Sequence, residues 1–461
     1  MCEAADTVAR LAAALAEAGI GEGTRIAVIG ANSPWHYIVH VAASWLRAVT
    51  VPLSPRMPSP ALTSMCEQVG VSWVFLDEAS SRTHAPALSD AGAQVASFAD
   101  LSAWADRAAP IGHPPARCGN ELAAILFTSG STGTPRPVEL THEVMWWGST
   151  NFREGFDYAP TSSVVGVCAP TSHIGGFNGT SMDTWTHGGT LVTLGFPGSF
   201  DARGVIDAIE RYGITMMFAV PAIVRAILDE HERGGGDLSS WMRPLIGGDA
   251  MTADLAEAMR AVGLSPIHVW GMTETSGAGT VATPDSGAPA GSLGVPFPYV
   301  DLRLMATDER EAGVGELGEI WVRGPGVVSG TEWLRTGDLA TKDEDGWLHM
   351  VGRAHRMINT GGELVAPPTV ERALRSLDEV SDALVVGLPD ERWGQIVAAL
   401  IVPTPEGRAQ ASSMSTEALS EALSDAQAPW EKVRRVLIVD ALPTTTTGKP
   451  DPVAAARLFD S

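Results

Sequence analysis

From residue 25 to residue 194 the chain repeats one alternation, a short apolar strand followed by residues at helical spacing. Arg25–Ile29, Val49–Leu53, Trp73–Leu76, Ala123–Phe127, Val164–Val167 and Thr190–Leu194 read as buried, β-branched strands. A helix carrying Val8, Leu11, Ala12 and Leu15 precedes them and stops at Gly19, and a second opens near Ser33-Pro34 and runs through Trp45. Strands separated by helices must pair largely in parallel, so the pattern implies an α/β architecture. The turn Val28-Ile29-Gly30-Ala31-Asn32 lacks the G-x-G-x-x-G spacing of a dinucleotide site and reads as a plain strand-to-helix turn.

From about Val300 the texture becomes short strands and turns, as in Gly318–Arg323 and Gly346–Val351, which marks a β-rich subdomain. After Arg353 it changes again: Val370, Ala373, Leu374 and Leu377 mark a helix, and Leu419–Leu423 a second. Ala383–Val386, Val397–Ile401 and Val436–Val439 mark strands. A chain of 461 residues is too long for one ordinary core. The expected division is a large α/β domain over 1–352 and a small, mobile α+β domain over 353–461.

The formal net charge of -23 repels polyanions, so neither nucleic acid nor an anionic membrane surface is an expected partner. A small molecule met by a few local cations fits better. Cys2, Cys66, Cys118 and Cys168 match no zinc spacing, and their scarcity suits a reducing compartment. The first residues show no basic and then apolar leader, and no apolar run is long enough to span a bilayer, so a cytoplasmic protein is expected.

The segment with most chemistry is Thr128-Ser129-Gly130-Ser131-Thr132-Gly133-Thr134-Pro135-Arg136, which follows the strand ending at Phe127. Glycines let backbone N–H groups approach an anion, hydroxyls add donors, and Arg136 supplies a fixed cation for phosphate oxygens. It is no Walker loop, because no lysine followed by serine or threonine closes it.

This loop resembles the T-S-G-S/T-T-G-x-P-K-G phosphate loop of the adenylate-forming superfamily of acyl-CoA synthetases, luciferases and nonribosomal adenylation domains, and bacterial acyl-CoA ligases above all. Further landmarks follow in that family's order. Pro170-Thr171-Ser172-His173-Ile174-Gly175-Gly176 resembles the segment of the acyl-pocket histidine, and Gly247-Gly248-Asp249-Ala250 the adenine-side turn. Trp270-Gly271-Met272-Thr273-Glu274 matches the aromatic-G-x-T-E motif, and Thr336-Gly337-Asp338 the T-G-D motif. Gly352-Arg353 and the stretch from Ile358 to Pro367 resemble the hinge region, and Pro443 to Lys449 the C-terminal P-x-T-x-x-G-K.

The resemblance implies ATP with Mg²⁺, an acid, and coenzyme A as cosubstrate; a carrier protein is a further acceptor it allows. It implies that Thr128, Ser129, Gly130, Ser131, Thr132, Gly133 and Arg136 hold phosphates. Gly248, Asp249, Trp270, Gly271, Met272 and Thr273 would meet the nucleotide, with Asp338 on the ribose hydroxyls and Arg353 closing the other side. Glu274, with Thr128, would hold Mg²⁺. His173, Gly175, Gly176, Gly248 and Met272 would form the acid pocket, with Val295 and Phe297 as further candidates. Lys449 would bridge the attacking carboxylate and the α-phosphate, stabilising charge that builds in the transition state. His355, Gly361, Gly362 and Glu363 would serve the thiol step as the small domain turns. Read from the residues alone, Trp270 is equally a core aromatic, Asp338 a turn residue, and His173 a hydrogen-bonded core histidine.

The chain departs from the family pattern at several points. Arg136-Pro137 stands for Lys-Gly, a proline expected to stiffen the loop, and His355, Arg356, Leu364 and Pro450 are also unusual. The expected reaction is acid activation to an acyl-AMP and transfer to a thiol, as in secondary or aromatic acid metabolism. Rival readings are nitrite activation for diazotising an aryl amine, carrier-protein loading, and a nucleotide-binding pseudoenzyme.

Overall fold

The computed structural model of the chain describes residues 2–113, 119–129, 135–196, 200–249, 251–409, 415–416, 418–419, 428–445 and 450–460. The chain divides into two compact units, Met1–Leu302 with Trp321–Leu334, and Arg303–Ile320 with Arg335–Ser461. The second unit thus takes in residues that the sequence reading assigns to the large domain.

The first unit contains two sheets. One is built from β1 (Arg25–Ile29), β2 (Val49–Leu53), β3 (Trp73–Leu76), β4 (Gln94–Ser97), β5 (Leu122–Ser129) and β6 (Pro135–Thr141), in the order β4-β3-β1-β2-β5-β6. All of these pair in parallel except β6, which returns antiparallel along β5. Helices α1 (Cys2–Glu17), α2 (Pro34–Trp45), α3 (Ser59–Gln68), α4 (Glu78–Asp90), α5 (Phe98–Arg107) and α6 (His142–Gly155) connect or flank them. Ile26 and Val28 pack with α1, α2 and α5, whereas Ala27 and Ile29 pack on the opposite face with α3. Both faces are buried, which is why the strands read as unbroken apolar runs.

The second sheet is β7 (Val164–Val167), β8 (Thr190–Thr193), β9 (Met216–Ala219), β10 (Arg243–Gly247), β11 (Ile267–Trp270), β12 (Thr280–Ala282) and β13 (Val295–Pro296), in the order β13-β12-β11-β10-β9-β7-β8. Strands β8, β7, β9, β10 and β11 are mutually parallel, and β12 and β13 extend the edge antiparallel. Short α7 (Ile174–Phe177) and α8 (Thr180–Thr186) follow β7, and α9 (Ala202–Tyr212), α10 (Pro221–Gly234) and α11 (Ala253–Ala261) cross between later strands. These three bury Val205, Ile209, Val224, Ile227, Leu255 and Met259 against Met217, Ala219 and Ile246.

The chain then runs through β14 (Asp301–Met305), β15 (Gly318–Arg323), β16 (Leu334–Lys342) and β17 (Leu348–Arg353), of which β16 and β17 pair antiparallel, and the bounds of the two units fall within β14, β15 and β16. A five-stranded sheet follows from β18 (Ile358–Thr360), β19 (Glu363–Val365), β20 (Val380–Asp390), β21 (Gly394–Pro403) and β22 (Arg435–Ile438). Helix α12 (Pro367–Arg375) lays Val370 and Leu374 on Ala383, Val385 and Ile401. Among the described residues no helix is long and apolar enough to cross a membrane.

One expectation is corrected. Pro137 does not stiffen the glycine loop: it lies within β6, opposite Phe127. Strand β6 is the sheet's edge, where proline is tolerated because a position whose nitrogen faces away from the neighbouring strand has no ladder bond to lose.

Candidate active site

Parallel strands collect their loops at one end, and in open α/β sheets the crevice at the carboxyl ends is where ligands settle. Three such ends of the second sheet carry expected residues of the first unit. The segment after β7 holds His173, Gly175 and Gly176; Gly248 and Asp249 follow β10; and Gly271, Met272, Thr273 and Glu274 follow β11.

The segment after β7 is held from a distance. Asn32, in the turn after β1, donates from Nδ2 to Val167 O at 3.0 Å and Ala169 O at 2.8 Å, and its Oδ1 accepts from Thr171 N–H at 3.0 Å. Tyr37 donates from its hydroxyl to Gly176 O at 2.5 Å. A Cβ on Gly176 would lie 2.4 Å from Ala169 O, so only glycine permits this turn. His173, half-buried, starts α7, its carbonyl accepting from Phe177 N–H at 2.9 Å.

Asn178, only 1% exposed, ties this segment to the next. Its Nδ2 donates to Met145 O on α6 at 3.1 Å and to Ser276 Oγ at 2.9 Å. Ser276 adopts φ 52°, which ends the one-turn helix Thr273–Thr275 and reverses the chain. That turn is closed by Met272 N–H donating to Thr275 Oγ1 at 3.0 Å, and it packs against β6. Glu274 is half-buried within it, and its carbonyl accepts from Val328 N–H at 2.9 Å.

On β5 and β6, Thr128 stands directly opposite Arg136, so their side chains share one face of the hairpin. Arg136 is exposed and Thr128 half-buried. Gly130, Ser131, Thr132 and Gly133 lie outside the described residues, as does Lys449. Mg²⁺ keeps several waters and takes one or two carboxylates plus phosphates. A half-buried Glu274 packed against β6, with the Thr128 hydroxyl on the hairpin, fits an ion carried in by a nucleotide. Among the described residues no three His, Cys, Asp or Glu side chains form a metal cage.

Trp270 is 7% exposed, with its ring edge against Gly279, whereas Gly248 and Asp249 are exposed. Phe297 belongs to the core, its ring tilted at 58° against that of Phe152 and filling the space beside Gly155, and Val295 lies exposed on the edge strand.

In the second unit, Asp338 on β16 pairs across the ladder with Arg353 on β17, Oδ1 to Nε at 2.8 Å. The Asp338 side chain is 4% exposed and that of Arg353 46%. Thr336 donates to Ile320 O at 2.7 Å and accepts from Asp338 N–H at 3.1 Å, and Gly337 takes φ 72°. Partial burial, then the neighbouring charges of Arg353 and Arg356, hold the His355 ring below the ordinary histidine range. Gly361 and Gly362 take φ 65° and 94° in the turn from β18 to β19, with Glu363 exposed after them. A Cβ on Gly361 would lie 2.7 Å from the Trp393 ring.

Asn32, Tyr37, Asn178 and Ser276 escaped the sequence reading. The only local signal is a polar residue at a strand's carboxyl end, as Asn32 is after β1.

The family model for AMP-binding enzymes matches residues 2–331, and that for the C-terminal domain of AMP-binding enzymes matches 369–449. A feruloyl-CoA synthase of an Amycolatopsis species is 32% identical over 459 residues, covering 96% of this chain and 90% of its own. An indoleacetate–CoA ligase of Aromatoleum aromaticum is 29% identical over 469 residues, with 96% and 90% covered. Among solved structures, o-succinylbenzoate CoA synthetase of Bacillus subtilis in complex with its acyl-adenylate intermediate superposes with a TM-score of 0.85 at 23% identity, covering 97% of this chain and 91% of that one.

Proposed function

The chain belongs to the family of AMP-binding enzymes and is an AMP-forming acid–thiol ligase; from that premise we propose that it activates an aryl or arylalkyl carboxylic acid and passes it to coenzyme A. The observation that supports the reading is the placing of the His173, Gly248 and Glu274 loops at the carboxyl ends of β7, β10 and β11, the first and last of them joined through Asn178 and Ser276. Relatives named for ferulate and indoleacetate support the aromatic class.

A carboxylate oxygen attacks the α-phosphorus of ATP, the bond from that phosphorus to pyrophosphate breaks, and an acyl-AMP forms. The coenzyme A thiol then attacks the acyl carbon, its proton passes to solvent, and the carbon–oxygen bond to AMP breaks. His173 orients the carboxylate beside the gap left by Gly175 and Gly176. Arg136 and the glycine loop take phosphate oxygens, and Gly248, Asp249 and Trp270 to Thr273 take the adenine side. Glu274 with Thr128 would hold Mg²⁺, which would supply neutralisation of phosphate charge. In the second unit Asp338, steadied by Arg353, accepts the ribose hydroxyls; Lys449 serves the first step, and His355, Gly361, Gly362 and Glu363 the second. Between the two steps the small domain would turn about the segment near His355. A cytoplasmic setting suits substrates of this kind.

The test is pyrophosphate release across aryl acids, fatty acids, short acids and nitrite, with and without coenzyme A. Release with aryl acids and a thioester product are expected. Release with nitrite alone, or an adenylate never consumed by coenzyme A, would replace this reading with the other-acceptor one.

A further inference from the structure

Acid activation joins a carboxylate to a phosphorus atom, and in the reaction proposed above the two are held by loops of different sheets. Thr128 and Arg136 stand on the β5–β6 hairpin of the first sheet, whereas His173 follows β7 of the second. The distance between the reacting groups therefore depends on what fixes one set of loops against the other. Asn32 makes such a connection. It lies past the end of β1, and its three side-chain hydrogen bonds all go to backbone groups between Val167 and Thr171, where β7 gives way to the His173 segment. Nδ2 donates to two carbonyls while Oδ1 accepts an N–H, so the amide is engaged at both ends and grips the segment in more than one direction.

Asn32 is itself held on both sides. Asp77, past the end of β3, accepts from Ala31 N–H at 2.8 Å through Oδ2 and from Ser80 N–H at 2.7 Å through Oδ1. A Cβ on Gly30 would lie 2.9 Å from that Oδ2, so glycine lets the carboxylate reach the turn. On the other side, the Asn32 carbonyl oxygen would lie 2.4 Å from a Cβ on Gly195, past the end of β8. At the far end of the segment, Tyr37 of α2 donates to Gly176 O. Further along α2, His40 Nδ1 meets Thr50 Oγ1 on β2, the strand that pairs with β5. The segment from Val167 to Gly176 thus hangs at both ends on the β1–α2 part of the sheet that carries Thr128 and Arg136.

We propose that Asn32, assisted by Tyr37, is a positioning residue that fixes the carboxylate of the acid at attacking distance from the α-phosphorus. The inference rests on the acid-activating reading above. Asn32 acts through the His173 segment and not on the substrates. A reaction between two separately held groups is sensitive to placement, and a shift of about 1 Å can lower its rate about 100-fold. The thioester step lacks that sensitivity, because in the acyl-AMP the carboxyl oxygen and the phosphorus are already bonded.

The experiment compares full-length wild type, Asn32→Ala, Asn32→Asp and Tyr37→Phe, using whichever of ferulate, indoleacetate and decanoate the wild type activates fastest. Asn32→Asp keeps the shape and the acceptor for Thr171 N–H but sets a charged oxygen against two carbonyl oxygens. Acyl-AMP formation is followed by pyrophosphate release, and thioester formation is assayed separately from the supplied acyl-AMP and coenzyme A. Both Asn32 variants should lower kcat for acyl-AMP formation at least about tenfold, with smaller changes in the KM values. Thioester formation should stay near that of the wild type, and Tyr37→Phe should show the same split more weakly. Should Asn32→Ala not fold, Asn32→Asp and Tyr37→Phe decide. A lowered melting temperature with kcat undiminished, or equal loss in both steps, makes Asn32 a fold-stabilising residue and overturns the positioning role alone. A wild type that activates none of the three acids overturns the functional reading and the positioning role with it.

Discussion

Asn178 Nδ2 and Ser276 Oγ lie 2.9 Å apart in the interior of the first unit, 98 residues apart in sequence. This bond couples the segment of His173 to the turn of Glu274. Removing one partner leaves the other buried without its mate, which costs about 1–3 kcal/mol. Asn178→Ala and Ser276→Ala should each lower stability by that order. The double variant should lose less than the sum, because the two share one interaction. Urea unfolding of the four proteins checks it, and strict additivity would show that the bond carries no coupling.

Asp338 is the nearly inaccessible member of its pair with Arg353. Asp338→Ala should weaken ATP binding by one to two decades, as expected for losing a charge-assisted hydrogen bond of about 1.5–3 kcal/mol. Arg353 is exposed enough to be solvated once alone. Titration calorimetry with ATP measures the loss, and unchanged affinity in a folded variant would make Asp338 a turn residue only.

Much of the fold was legible because it is local. The runs Arg25–Ile29, Val49–Leu53 and Gly318–Arg323 form strands with the bounds that apolar pattern and turn residues indicate. Motif order was legible too, since glycines at Gly176, Gly271 and Gly361 each meet a backbone or a ring that no side chain would tolerate. What escaped is long-range pairing: Asn32 with the loop after β7, Asn178 with Ser276, and Phe218 between Gly175 and Gly247. No local periodicity reports a contact made across 98 residues. Strand β6 escaped for another reason, because Pro135 and Pro137 argue against a strand unless it is known to be an edge.

Two buried histidines on α2 set an acid limit on stability. Burial lowers His36 to about 4 and His40 to about 3 from the ordinary 6.5. The unfolded chain therefore binds protons that the folded chain refuses, and stability falls as pH drops below the unfolded value, levelling only below the folded ones. Each histidine contributes a slope of up to about 1.4 kcal/mol per pH unit in that window. His40→Gln keeps a polar partner for Thr50 Oγ1, at 2.7 Å from His40 Nδ1, without titrating. Denaturant melts between pH 7 and pH 4 should show a shallower slope in that variant, and an equal slope would count against the assignment.

Lys449 separates the half-reactions. Lys449→Ala should slow acyl-AMP formation by at least about 10²–10³, the usual cost of one preorganised transition-state contact, yet leave thioester formation from supplied acyl-AMP intact. Assaying each step alone decides this, and equal damage to both would indicate a docking role.

The most direct measurement follows the oxygen atoms. An aryl acid labelled with heavy oxygen in its carboxylate is turned over with ATP and coenzyme A, and the phosphorus products are weighed by mass spectrometry. Attack by the carboxylate on the α-phosphorus predicts one heavy oxygen in each AMP and none in pyrophosphate. Heavy oxygen in inorganic phosphate, with ADP as the nucleotide product, would contradict the account.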